Sequence, residues 1–292
     1  MDFDAVLHAI FNFENYGELL ALVQNSLWAG AVLGLLGGLV GTFVMKRDLA
    51  FAVHGISELS FAGAAFALLI GADVVAGSLA GSVVAALILG VMGVRARDKN
   101  STIGVLMPFG LGLGILFLSL YEGRAANKFG LLTGQIVSVG TVQLQVLAGA
   151  AVVVMLALLA IWRPLTFASV DPKVAAARGV PVRGLALGFM VLLGVSVALS
   201  IQIVGALLVL ALLITPAAAA LRVTSSPRLV VLLSVVFAVS ATVGGILLAL
   251  GGRLPISPYV TTLSFLIYVV CRIIGGVRAR RGLNGRTSPV AA

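Results

Sequence analysis

Long hydrophobic runs separated by short polar segments dominate the chain. A helix that spans a bilayer needs about 20 apolar residues, and the pattern predicts nine such helices. Residues 184–221 are broken only by Ser200 and Gln202, so this stretch predicts either two spans joined by a tight turn or one span with a re-entrant piece. The nine predicted spans are 19–44, 49–70, 74–94, 103–120, 141–162, 184–201, 203–221, 229–250 and 257–275.

Charged residues between these runs predict the orientation. Loops rich in Lys and Arg are expected in the cytoplasm, whereas the remaining loops are acidic or lightly charged. The two kinds of loop alternate throughout only if 184–221 crosses twice. The pattern therefore predicts an extracellular segment 1–18 and a cytoplasmic, disordered basic tail 277–292. The basic segments are 46–48, 95–100, 163–183, 222–228 and 278–286.

Composition supports the same class of protein. Of 292 residues, 61% are hydrophobic and only 10% are charged, whereas soluble domains carry about a quarter charged residues. A membrane β-barrel would show alternating segments of about ten residues, and the runs here are longer. The sequence predicts an all-α, polytopic membrane helical bundle with one transmembrane domain, 19–276. The net charge of +9 lies mostly in the loops, so we expect no nucleic-acid partner.

Glycine is frequent in the first span, where small residues recur every three or four positions. Such spacing lets helix backbones approach closely within a membrane. It predicts tight packing of this helix and carries no information about a substrate. The glycines are Gly30, Gly34, Gly37, Gly38 and Gly41.

The polar insert 163–184 predicts a short cytoplasmic helix between Pro164 and Pro181. Asp171 is placed to cap it, with Pro172 at its first position and Gly179 after its end. Two interpretations remain open, an ordinary connecting loop and a docking helix for a cytoplasmic partner.

Two ionisable residues, His54 and Glu58, lie inside the second span. At about 1.5 Å per residue, they lie about 9 and 15 Å from Asp48 along the helix, and Glu58 falls near the centre of a hydrocarbon core about 30 Å thick. Spacing of four places both side chains on one face. An ionisable group at that depth costs at least about 2.5 kcal/mol unless it has a partner.

Three explanations of this pair remain open: a structural hydrogen-bonded pair, a proton relay, and a transient metal site. Imidazole and carboxylate together suit zinc and manganese. Two ligands are too few for one metal ion, but a two-fold dimer with its pathway on the axis would supply four.

Catalytic motifs are lacking in the sequence. It contains neither a G-x-x-x-x-G-K-[ST] phosphate-binding loop nor an H-E-x-x-H zinc motif. We therefore expect that the chain is not itself an enzyme. If it carries out active transport, the energy must come from another subunit or from an ion gradient.

Four stretches of the chain resemble the membrane permease subunit of zinc/manganese ABC importers, over about residues 17–276. They are "GLVGTFVMKRDLAFAVHGISELSFAG" (38–63), "NSTIGVLMPFGLGLGILFLSL" (100–120), "GLLTGQIVSVGTVQL" (130–144), and "FASVDPKVAAARGVPV" (167–182) followed by "IVGALLVLALLITPAAAA" (203–220). The second span departs from the family pattern. The family commonly has Asp, three residues, then His, whereas this chain has His54 and Glu58 and carries Ala62 in place of a Pro.

This resemblance implies a type II ABC importer-like permease in a prokaryotic cell membrane. Its implied partners are two cytoplasmic ATPase subunits, an extracellular or periplasmic metal-binding protein, a second copy of itself and membrane lipid. It implies no permanent cofactor, only transported Zn²⁺ or Mn²⁺. It also implies ATPase coupling through the insert, for which we single out Asp171, Val174, Ala175, Ala176 and Gly179.

Two rival functions remain from the sequence. A permease for metal chelates, such as siderophores or cobalamin, would want a wide apolar pathway rather than a pair of ligands. A secondary transporter would use Glu58 as its proton site.

Overall fold

The computed structural model describes residues 16–92, 99–123, 130–131, 139–205, 208–251 and 256–280. These residues form twelve helices and no strand, which confirms the all-α class. Residues 1–15 of the predicted extracellular segment and 281–292 of the predicted tail lie outside the described residues. The helices are α1 (Tyr16–Leu22), α2 (Gln24–Lys46), α3 (Ala50–Leu69), α4 (Val74–Met92), α5 (Lys99–Leu120), α6 (Thr141–Val170), α7 (Pro172–Ala177), α8 (Val182–Val204), α9 (Val209–Leu213), α10 (Thr215–Val223), α11 (Pro227–Leu250) and α12 (Ile256–Arg280).

Eight of these helices are long and apolar enough to cross a bilayer: α2 to α6, α8, α11 and α12. A bilayer core offers no water to backbone amides, so a spanning segment must satisfy them within itself, as a helix does. Each of the eight coincides with a predicted span.

The ninth predicted span, 203–221, is a broken crossing formed by α9 and α10. Contacts with α12 show the course of the broken crossing through the bundle. Ser257 Oγ donates to the Val204 carbonyl at 3.4 Å and Ser264 Oγ donates to the Ala211 carbonyl at 3.1 Å. Gly275, near the other end of α12, lies against the Arg222 carbonyl. The segment therefore passes from one end of the bundle to the other, as the alternating loops require.

The break in this crossing lies at Ile214, between α9 and α10. Pro216 is the second residue of the second piece, and a proline cannot donate the backbone hydrogen bond that would join the two pieces into one helix. The predicted span at 203–221 is thus formed by two short helices instead of one.

The polar insert begins later than the sequence predicted. Helix α6 continues through Pro164 to Val170, so Pro164 is inside the helix and does not bracket the short one. Leu165 and Ala168 are buried, and this packing compensates for the one hydrogen bond that Pro164 removes.

Helix α2 lies at the centre of the bundle, between α11 and α6. Gly34 and Gly38 face the α11 backbone so closely that a Cβ atom at either would lie within 3 Å of it. On another side, the Phe43 ring contacts the Trp162 ring of α6 edge to face, with 4.7 Å between centroids. The glycines of the first span therefore serve helix packing, as predicted.

One end of the bundle carries a set of arginine and lysine residues, and we call it the basic end. The predicted orientation places it in the cytoplasm. Its residues in the described part of the chain include Lys46, Arg47, Arg178, Arg222, Arg228 and Arg278.

Candidate metal pathway and coupling helix

Helix α3 carries both ionisable residues and packs tightly against α4 and α5. Small residues make this possible. A Cβ atom at Gly63 would collide with the Gly77 carbonyl of α4, and one at Gly110 of α5 would lie 3.1 Å from Glu58 Cβ. Close backbone packing on these sides fixes the rotation of α3. Phe51 and His54 lie on its more open face, whereas Glu58 lies at the edge of the contact with α5.

The structure brings His54 and Glu58 together without joining them by a hydrogen bond. His54 Nδ1 and Glu58 Oε1 are 3.7 Å apart, and the side chains are 34% and 14% exposed. A protein hydrogen bond of this type spans about 2.7–3.2 Å. Within the described residues, the buried Nδ1 atom has no hydrogen-bond partner. This geometry argues against the structural hydrogen-bonded pair.

The same separation suits two ligands of one small cation. Ligand atoms about 2.1 Å from a tetrahedral zinc ion lie about 3.4 Å apart, so a shift of a few tenths of an ångström would allow both to coordinate. Among the described residues, no group of three or more His, Cys, Asp or Glu side chains could hold a metal ion. This part of one protomer therefore offers a pair of ligands and no complete site.

His54 lines a groove of about 460 Å³ between α3, the broken crossing and α12. Polar groups on the other walls are few, Thr215 at the start of α10 and Thr261 on α12. Sequence reasoning did not select these two residues. The TPAAAA stretch was a signal for Thr215, but Thr261 is brought to His54 only by the fold. The lining residues are Ala50, Phe51, His54, Leu210, Ala211, Ile214, Thr215, Thr261 and Phe265.

The short helix in the insert is α7, Pro172–Ala177. The Asp171 carboxylate accepts hydrogen bonds from the backbone amides of Lys173 and Val174, each at 3.0 Å, which is the geometry of an N-cap. Gly179 follows with a φ of +79°, a conformation that favours glycine.

The exposed face of α7 is smaller than the sequence suggested. Val174 is 46% exposed, and Ala176 and Ala177 are also exposed. Ala175 is completely buried, so it packs against its own chain and is not available to a partner.

A contact between the ends of α2 and α6 links the segment that leads to His54 with the segment that leads to α7. Arg47 Nη1 donates to Ser169 Oγ at 3.1 Å, and the guanidinium carbon lies 5.9 Å from the centre of the Phe189 ring. Burial lowers the pKa of Arg47 from its usual value. Arg47 precedes the helix that carries His54, and Ser169 precedes α7. This link could not be predicted from the amino-acid sequence, because the two residues lie far apart along the chain.

Comparison with known proteins identifies the family. The sequence pattern of the ABC 3 transport family matches residues 20–275. The chain belongs to the ABC 3 transport family. This family is the one that the four stretches resembled.

Relatives agree with this membership, and solved structures share the fold. The chain is 31% identical over 225 residues to the manganese transport system membrane protein MntC of Halalkalibacterium halodurans, covering 77% of each chain. It is 24% identical over 257 residues to the zinc uptake membrane protein ZnuB of Haemophilus influenzae, covering 86% of this chain and 97% of that one. A chain of PsaBC from Streptococcus pneumoniae has the same fold, with a TM-score of 0.81 at 23% identity over 92% of this chain and 99% of that one. A metal-chelate type ABC transporter gives a TM-score of only 0.59 at 17% identity, over 91% of this chain and 93% of that one.

Proposed function

We propose that this chain is the membrane-spanning permease subunit of an ATP-driven importer of divalent metal ions, zinc or manganese. It works as a homodimer in a prokaryotic cell membrane. Two cytoplasmic ATPase subunits bind its basic end, and an extracellular or periplasmic binding protein delivers the metal to the opposite end. The chain itself carries out no covalent chemistry and holds no permanent cofactor.

The observation that carries this proposal is the His54–Glu58 pair on α3. An imidazole and a carboxylate lie 3.7 Å apart in a transmembrane helix, with the imidazole at the wall of a groove. A borderline cation such as Zn²⁺ or Mn²⁺ accepts both kinds of ligand. Membership of a transport family whose relatives include manganese and zinc systems supports the same substrate class.

A second copy of the chain is part of the proposal because one protomer has too few metal ligands. One protomer offers two ligands in the described residues, whereas zinc binds four. A two-fold axis along the groove would bring two His54 and two Glu58 side chains to one ion. Thr215 and Thr261 would then supply oxygen atoms near the pathway.

Transport then proceeds by alternating access. ATP binding and hydrolysis on the partner subunits move α7, and the Arg47–Ser169 hydrogen bond joins the end of α6 to the start of the segment that carries His54. The site opens alternately to the two sides of the membrane. Transient rather than permanent binding is required, because an ion held by a closed, rigid site would not leave.

The test is uptake of radiolabelled zinc and manganese into vesicles that hold the complete transporter, with and without ATP on the ATPase side. His54→Ala and Glu58→Ala should each reduce ATP-dependent uptake at least tenfold, on the order of one lost ligand. Ser60→Ala is the matched control, because it removes a buried hydroxyl from the same helix on the face toward Ser78. Wild-type uptake in both ligand variants, at normal protein levels, would refute the metal site.

The same assay separates the rival functions. A chelate permease would transport a metal–chelate complex at the wild-type rate in His54→Ala. A secondary transporter with Glu58 as its proton site would need no ATP, and its uptake would follow an imposed pH gradient.

A further inference from the structure

A cleft of about 280 Å³ opens at the basic end, on a different face of the bundle from the His54 groove. It lies where the end of α2 meets α6 and the beginning of α11. Its lining residues are Lys46, Trp162, Thr166, Pro227, Arg228 and Val231.

The chemistry of this cleft is that of a phosphate site. Lys46 and Arg228 supply two cations, and no acidic side chain is among the lining residues. The Thr166 hydroxyl oxygen is buried and has no hydrogen-bond partner in the described part of the chain. Helix α11, which has 24 residues, begins at the cleft, and no side chain caps its N-terminus. Free backbone amides and the helix dipole there add to the attraction for an anion.

The surface next to the cleft exposes aliphatic side chains. Leu35 and Leu39 lie on the same face of α2 as Lys46, because their spacing follows the helical repeat, and they lie about 17 and 11 Å from it along the helix axis. Leu35 is exposed. This stripe runs between α6 and α11, both of which pack against α2. The adjoining surfaces of α6 and α11 expose further aliphatic side chains, Leu156, Leu159, Leu232 and Val236.

We propose that the cleft binds the phosphate group of an anionic phospholipid, with one acyl chain along the α2 stripe. Basic pockets between transmembrane helices on the cytoplasmic side suit such head groups. Trp162 lines the cleft, and tryptophan is a common residue at the membrane interface. The bound lipid would hold α6, which leads into α7, against α2. The proposal rests on the predicted orientation of the basic end and is independent of the transported substrate.

Fluorescence of Trp162 provides a local test. The chain has two tryptophans, so Trp28→Phe leaves Trp162 as the only one. The variant is reconstituted into phosphatidylcholine vesicles that contain increasing fractions of phosphatidylglycerol with brominated acyl chains, and quenching is compared with brominated phosphatidylcholine. Each cation near an anionic head group strengthens binding about fivefold, so the two should give a preference of about thirtyfold for phosphatidylglycerol.

Variants of the two cations test whether the cleft causes the preference for phosphatidylglycerol. The double variant Lys46→Gln with Arg228→Gln should remove the preference. The exchange Lys46→Arg with Arg228→Lys should retain the preference, because it keeps two cations in the cleft. The matched control is Arg163→Gln with Arg183→Gln, which removes two exposed cations from the basic end outside the cleft. Circular dichroism and gel filtration check that each variant is folded.

Several outcomes would overturn the proposal. Equal quenching by the two brominated lipids would show no anionic site, and equal loss in cleft and control variants would show only diffuse surface charge. Reversal of the preference by millimolar inorganic phosphate would assign the cleft to a soluble phosphate. Cleft variants that lose ATPase binding but keep the lipid preference would assign it to the protein partner.

Discussion

His54 Nδ1 is a buried polar atom that lacks a hydrogen-bond partner within the described residues. An unsatisfied group of this kind costs about 1–3 kcal/mol, and the cost is higher in a membrane, where water does not compensate. Such an atom persists where it serves a ligand that comes and goes. At the scale of single residues, we therefore predict that His54 and Glu58 contribute to function rather than to stability.

Removing either residue should leave the fold as stable as before. For His54→Ala and Glu58→Ala we expect thermal unfolding midpoints in detergent equal to or slightly above wild type, because each change removes a costly buried group. Breaking a true buried ion pair would instead cost about 3–5 kcal/mol. A large fall in the midpoint of either variant would restore the structural explanation.

Exchanging the two ligands should preserve transport. His54→Asp with Glu58→His keeps one imidazole and one carboxylate per protomer and restores the order common in the family. We expect ATP-dependent metal uptake above that of either alanine variant, with a changed ratio of zinc to manganese. Uptake no better than that of His54→Ala would show that the position of each ligand, and not only its chemistry, is essential.

At the scale of elements, we propose functions for two short segments, α7 and the broken crossing. Helix α7 is six residues long, too short to be stable alone, and depends on the Asp171 cap and on burial of Ala175. The broken crossing places Leu210, Ile214 and Thr215 beside the His54 groove.

A charge on the exposed face of α7 should uncouple the transporter. Ala176→Arg places a long cation where we expect an ATPase to bind, and should abolish metal-stimulated ATP hydrolysis while the membrane bundle stays folded. Ala176→Ser, which keeps the side chain small, should remain near wild type. If stimulation and co-purification with the ATPase are unchanged in Ala176→Arg, α7 is not the coupling helix.

A methyl group at Gly41 should disturb the broken crossing. A Cβ atom there would collide with the Leu213 carbonyl, so Gly41→Ala should destabilise the bundle by about 1–3 kcal/mol, as overpacking does, and should slow uptake. Gly104→Ala is the control, since its Cβ would meet nothing within 4 Å and alanine favours a helix by about 1 kcal/mol. Equal melting of the two variants would contradict this account of the crossing.

At the scale of the whole molecule, the eight spanning helices and the broken crossing in the described residues predict that the two ends of the chain lie on opposite sides of the membrane. Cys271 is the only cysteine, so Cys271→Ser provides a clean background for labelling. Ala72→Cys should react with an impermeant thiol reagent from outside, whereas Ser225→Cys and Ala279→Cys should react only from the cytoplasm. Labelling of Ala279→Cys from outside would remove the nine-crossing topology.

The sequence by itself determined the class and most of the helices. Long apolar runs must become helices in a bilayer, because each backbone amide has to find its partner within the segment. The sequence also determined α7, since Asp171, Pro172 and Gly179 act on neighbouring residues. Spacing alone placed His54 and Glu58 on one helix face.

Only the tertiary structure decided which residues from distant parts of the sequence are in contact. Helix α6 continues past Pro164 because Leu165 and Ala168 are buried by other helices, and the broken crossing packs closely against α2 and α12. Thr261 reaches the His54 groove, Arg47 reaches Ser169, and Lys46 reaches Arg228 across long separations in sequence. Such contacts depend on how whole helices pack, and the free energy of that packing is spread over many side chains instead of a local pattern.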